Sequence, residues 1–111
     1  AGFFNGCDYL NRYGLMAGAV GCFWGGANAM PKEAVQLYEL YQAGRHAEAL
    51  TLWRRMQPLN RLLWTLPFNP VAKAAANLSG RSVGECRRPV LPLTAEQMAA
   101  VRAAMAPLLT A

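Results

Sequence analysis

Few side chains in this 111-residue chain are of a kind that does chemistry, and their spacing excludes several reactions. There is one histidine, His46, and three cysteines, Cys7, Cys22 and Cys86, with no CxxC pair among them. That set makes neither a tetrahedral zinc site nor a disulfide framework, and it reads as free thiols, buried or partly buried, in a reducing cytoplasm. His46 stands beside Arg45 and close to Glu48, the setting of a solvated surface histidine. Asp8 follows Gly6 and precedes an apolar helical pattern, so its carboxylate is placed to cap that helix. The run Gly25-Gly26-Ala27-Asn28 either frees the backbone for a turn or lets another group approach it closely.

The elements that position these residues follow from pattern. Ala1 to Asn5 reads as a buried strand entering an Asn-Gly turn, and Leu10 to Ala17 as a short helix with Gly18 at its C-cap. Ala19 to Trp24 is apolar without alternation, as in a strand covered on both faces. Pro31 suits the first turn of a helix ended by Gly44, and Arg45 to Leu66 is a longer helix that Pro58 should kink or split. Leu50, Trp53, Asn60, Leu63 and Trp64 lie near one side of it. Asn69-Pro70 caps a helix over Val71 to Leu78 ended by Gly80, and Arg81 to Leu93 is irregular. Thr94 with Gln97 is a capping box opening a last helix to about Leu109. A strand, helix, strand unit implies a parallel pair, which wants further strands that the later sequence does not supply. The chain therefore reads as a piece of a larger α/β enzyme.

Composition agrees. Charged residues are 15% and hydrophobic ones 54%, against roughly 25% charged in an ordinary soluble domain, so some of the apolar surface must be covered by something else. The net charge of +5 admits an anionic partner, but only Arg54-Arg55 and Arg87-Arg88 are adjacent, and neither lies in a basic run interleaved with aromatics. Nucleic acid is thus not expected as a partner. The N-terminus shows no signal-peptide pattern, and the uncharged stretch from Tyr13 to Pro31, although it has GxxxG spacing, is broken by glycines into helix and strand halves. No membrane partner is expected.

FFNGCD, AGAVGCFWGGAN, AGRHAEALTLWRRMQPLNRLLW, NPVAKAAANLSG and RRPVLPLT, in this order, resemble the C-terminal part of the dihydrodipicolinate synthase and N-acetylneuraminate lyase family. The resemblance covers essentially the whole chain. It implies the C-terminal part of a (β/α)8 barrel, strands seven and eight with their helices over residues 1–44, followed by a helical extension over 45–111. It also implies class I chemistry, in which a lysine on strand six forms a Schiff base with pyruvate or another 2-oxo acid, no other cofactor, and a homo-oligomer, commonly a tetramer. That lysine would lie before Ala1.

In such barrels the site gathers at the C-terminal ends of the strands, which points to Gly6, Asp8, Tyr9, Phe23 and Gly25 as substrate-binding residues. The sialic-acid-cleaving branch carries Gly-x-Asp-Glu after strand seven. Gly6 and Asp8 match it, Tyr9 replaces the Glu, and Gly25 stands where that branch has serine, so two polyol contacts are missing. Phe23 aligns with a pocket-lining position, which strand alternation sends opposite to Cys22 and to Trp24, the latter packing under a helix. As barrel core, Phe23 would have an ordinary structural role instead. Lys32, in the first turn of a helix, and Lys73, a structural position in the family, are not expected to be catalytic. Two rival readings remain: a dehydratase or hydratase-aldolase of the same fold, and a non-catalytic helical protein that docks on a partner.

Overall fold

The computed structural model describes residues 1–109; Thr110 and Ala111, at the end of the chain, lie outside that range. Two short strands, β1 (Phe4–Asn5) and β2 (Gly21–Cys22), pair in parallel with Phe4 opposite Gly21 and Asn5 opposite Cys22. A 3₁₀ turn at Asp8–Leu10 and helix α1 (Asn11–Met16) make the crossover between them. A second 3₁₀ turn, Gly25–Asn28, leads into α2 (Pro31–Gln42), α3 (His46–Thr65), α4 (Phe68–Leu78) and α5 (Ala95–Leu109).

The strands are shorter than the apolar runs predict. Among the described residues each has one hydrogen-bonded neighbour, the pairing extended slightly by Val20 N–H to the Phe3 carbonyl and Phe23 N–H to the Asn5 carbonyl. Nor is β2 covered on both faces, since Val20 remains 49% exposed and Phe23 71%. Within this chain one face of the sheet, with Cys22, packs on the helices, and the other, with Phe4 beside Phe23, is open.

Helix ends follow the glycines: Gly18, Gly44 and Gly80 each adopt a left-handed backbone just past a helix, where a Cβ would be strained. Thr94 and Gln97 exchange the two hydrogen bonds of a capping box, at 2.9 and 3.1 Å. Two expectations are revised. Helix α3 is not split at Pro58 but runs on as one helix of 20 residues. Pro58 and Arg54 are exposed, so water can reach the Arg54 carbonyl that proline leaves without a helical donor. Helix α4 starts at Phe68 with Pro67 before it, not at an Asn69 cap. Pro70 still falls within the first turn, where its missing N–H costs nothing, and Val71 N–H bonds the Pro67 carbonyl.

The core is one continuous cluster from Leu15 to Leu108, with Met30, Leu37, Met56, Leu59, Val71, Val101 and Met105 fully buried. It crosses from the strand unit into the later helices, so α3 packs against both α2 and α5. Arg12 Nε donates to the Tyr41 hydroxyl at 2.7 Å and ties α1 to α2. The helices therefore hold the strand ends directly, and that junction is where the candidate site forms.

Candidate active site

Parallel pairing puts the carboxyl ends of β1 and β2 on the same side, so the segments after Asn5 and after Cys22 meet. Asp8 is the link between them. Its Oδ1 accepts the Gly25 amide at 3.1 Å and its Oδ2 the Gly26 amide at 2.6 Å, with the residue buried. The expectation that Asp8 caps the helix after it is corrected: α1 has no side-chain cap, and the carboxylate instead caps the turn that follows the other strand. The reason is geometric, because the parallel register brings two unsatisfied amides of Gly25–Asn28 to Asp8 from across the sheet. Burial pushes the Asp8 carboxyl above the usual carboxylate range, and the Gly26 and Gly25 amides pull part of that shift back. Burial and the nearby Asp8 charge together raise the Cys22 thiol, which keeps it a protonated and unreactive group.

A pocket of 460 Å³ opens at these strand ends. Gly6, Cys7, Asp8 and Tyr9 line it from the first strand, and Phe23, Trp24 and Gly25 from the second. All five residues singled out by the sequence, Gly6, Asp8, Tyr9, Phe23 and Gly25, thus share one pocket. Alternation holds along β2: Cys22 and Trp24 pack toward the core while Phe23 faces out, its ring 5.4 Å from that of Phe4. Trp24 lies on α3, 6.3 Å from the Trp53 ring, and its indole N–H donates to Asn60 Oδ1 at 3.3 Å.

The close approach that Gly25 permits comes from within the chain. A Cβ at Gly25 would stand 2.2 Å from Phe68 Cζ, so the Phe68 ring fills the space of a side chain there. Phe68 completes the pocket lining with Asn60, Leu63 and Trp64 of α3. These four were not among the site residues that the sequence suggested. Helical spacing puts Asn60, Leu63 and Trp64 on one side of α3 but says nothing of what that side meets. Trp64 is 70% exposed rather than part of the core face, although its neighbour Leu63 is buried in the core.

The other candidate groups lie elsewhere. Lys32 is exposed, and Lys73 donates to the Glu85 carbonyl at 3.0 Å in a separate cavity between α4 and the 81–94 segment. His46 is exposed and packs edge-on against Tyr41, with Arg45 and Glu48 joined in an ion pair next to it. The three cysteines are free thiols, each partly buried. Among the described residues no three His, Cys, Asp or Glu side chains gather to hold a metal ion, and no helix is long and apolar enough to cross a membrane.

The model of the Dihydrodipicolinate synthetase family matches residues 1–107. The chain belongs to the dihydrodipicolinate synthetase family. Among relatives in this family, it is 30% identical over 104 residues to 4-hydroxy-tetrahydrodipicolinate synthase 1 of Halalkalibacterium halodurans, a match covering 94% of this chain and 35% of that protein. To the 4-hydroxy-tetrahydrodipicolinate synthase of a Synechococcus species it is 36% identical over 109 residues, covering 97% of this chain and 34% of the relative. The crystal structure of dihydrodipicolinate synthase from Agrobacterium tumefaciens superposes with a TM-score of 0.84 at 33% identity, over 93% of this chain and 35% of that one. The chain thus spans about a third of the length of the relatives it matches. As a dihydrodipicolinate synthetase family member with a single parallel pair and flanking helices, it has the architecture of a partial barrel.

Proposed function

We propose that this chain supplies part of the active site of a Schiff-base lyase acting on pyruvate or another 2-oxo acid. The observation that carries the reading is the pocket at the carboxyl ends of β1 and β2, where Gly6, Asp8, Tyr9, Phe23 and Gly25 meet in a member of this family. In this reading β1 and β2 are strands seven and eight of a (β/α)8 barrel. Residues 1–44 close the barrel, and 45–111 form its helical extension. The open sheet face with Phe4 and Phe23 receives the remainder of the barrel, further exposed apolar side chains serve contacts in a homo-oligomer, and the enzyme works in the cytoplasm.

The imine-forming lysine lies on a strand before Ala1. Its amine adds to the 2-oxo carbon and water leaves. Loss of a proton from the adjacent carbon gives a nucleophilic enamine, which bonds to the carbonyl carbon of an acceptor aldehyde while the aldehyde oxygen takes a proton. Water then releases the product and restores the lysine. Asp8 serves this site by holding the two strand-end loops together.

Borohydride reduction in the presence of pyruvate tests the assignment. With this 111-residue chain alone, mass spectrometry is expected to find no reduced pyruvate adduct on Lys32 or Lys73. In the complete polypeptide the adduct is expected on one lysine outside these residues. Trapping at Lys32 or Lys73 would overturn the reading.

A further inference from the structure

The cavity between α4, the 81–94 segment and α5 has a volume of 390 Å³ and a lining drawn entirely from residues between Pro70 and Arg102. This chain builds it, and the open sheet face with Phe4 and Phe23 takes no part. Side chains of α4 fix its frame. Lys73 Nζ donates to the Glu85 carbonyl and Asn77 Nδ2 to the Gly84 carbonyl, both at 3.0 Å, and Asn77 Oδ1 accepts the Val83 amide at 2.8 Å. These bonds hold the irregular segment against the helix, so the walls are set before a ligand arrives. Three cations line the cavity, one from each wall: Lys73 of α4, Arg88 of the segment and Arg102 of α5. Glu85 is the one carboxylate among the described lining residues, and it is in ion-pair contact with none of the three. Much of the remaining lining, with Ala74, Leu78, Val90, Leu93 and Met98, is apolar.

We propose that this cavity binds a small organic anion, a carboxylate carried on an apolar body, with Arg88 and Arg102 taking the carboxylate and Ala74, Leu78 and Met98 the body. The proposal goes beyond the Schiff-base reading and does not depend on it. A guanidinium fork matches the two oxygens of a carboxylate, and Lys73 adds positive charge while its Glu85 contact keeps it in place. The apolar lining gains by covering a hydrocarbon body. An inorganic anion would meet the same cations and leave that lining wet. A neutral molecule of the same shape would strip water from the cations and return no charge.

The test uses the complete polypeptide and cyclohexanecarboxylate, with cyclohexylmethanol and inorganic phosphate as comparisons. Two partly buried thiols report where the probe sits, because Cys86 lines this cavity and Cys7 the pocket at the strand ends. In calorimetry the carboxylate is expected to bind saturably and about tenfold more tightly than either comparison. It should also slow alkylation of Cys86 by iodoacetamide and leave Cys7 unchanged. Arg88 and Arg102 are exposed, so Arg88→Gln and Arg102→Gln should fold normally and each weaken binding about threefold to fivefold. Protection of Cys7 in place of Cys86, a comparison compound that binds as tightly, or an affinity that neither variant moves overturns the proposal. Failure to bind saturably does so as well. Borohydride trapping of pyruvate reads the Schiff-base assignment separately.

Discussion

Serine at position 25 would put a side chain where the Phe68 ring already sits. An ideal Cβ there lies 2.2 Å from Phe68 Cζ and 3.0 and 3.2 Å from its Cε1 and Cε2, against roughly 3.5–4.0 Å for carbon atoms in good contact. The backbone of Gly25 cannot retreat cheaply, because its amide is held by Asp8. Phe68 must move, and at 44% exposure it has a way out to solvent. The ring then gives up much of its buried half, roughly 110 Å² for a phenylalanine, which at about 25 cal/mol/Å² is at most ~3 kcal/mol. Gly25→Ser is therefore expected to cost about 1–3 kcal/mol in urea unfolding of the complete polypeptide. In a Phe68→Ala background the obstacle is gone, and the same substitution should cost less than ~0.5 kcal/mol. Equal losses in both backgrounds would refute the reasoning, since they would trace the cost to the turn itself and not to the ring above it.

Asp8→Asn keeps the shape of the clamp but turns an amide donor toward one of the two backbone donors; relief of carboxylate desolvation offsets part of the lost bond, for a net cost of about 1 kcal/mol near neutral pH. Because burial raises the Asp8 pKa in the folded state, its contribution to stability is complete below the ordinary value of 3.8 and is lost as pH rises through the folded value. The stability of wild type relative to Asp8→Asn should therefore decline with pH across that window in denaturant titrations, and a difference independent of pH would count against the buried clamp. Pro58→Ala restores a donor for the Arg54 carbonyl within α3 and should stabilise the protein by about 1–2 kcal/mol, less than the full helix-interior penalty of ~3 kcal/mol because proline also restricts the unfolded chain. A lower melting temperature for that variant would show that the ring has a packing role.

Much of the architecture was legible because its signals are local. Glycine at a left-handed position, proline in a first turn and the Thr94–Gln97 box each act within one turn of helix, so Gly44, Pro31 and the start of α5 fall where the pattern puts them. Pro58 does not split α3, because the helix is held by tertiary packing on both sides of the proline, through Trp53, Met56, Leu59 and Leu63, which a local rule does not register.

The sequence by itself determined the parallel strand unit and the order of the helices, because strand ends, caps and glycine runs are written in neighbouring residues, while the five substrate-binding candidates came from the family resemblance. Tertiary structure alone decided what those residues touch. Asp8 became a clamp between two loops because the strand register brings the Gly25 and Gly26 amides to it from 17 and 18 residues away. Gly25 became the seat of Phe68, and Asn60 and Trp64 became pocket residues, because α3 and α4 pack their junction against the strand ends. Contacts of that range depend on how whole elements dock, and a pattern with a period of two or 3.6 residues carries no record of them.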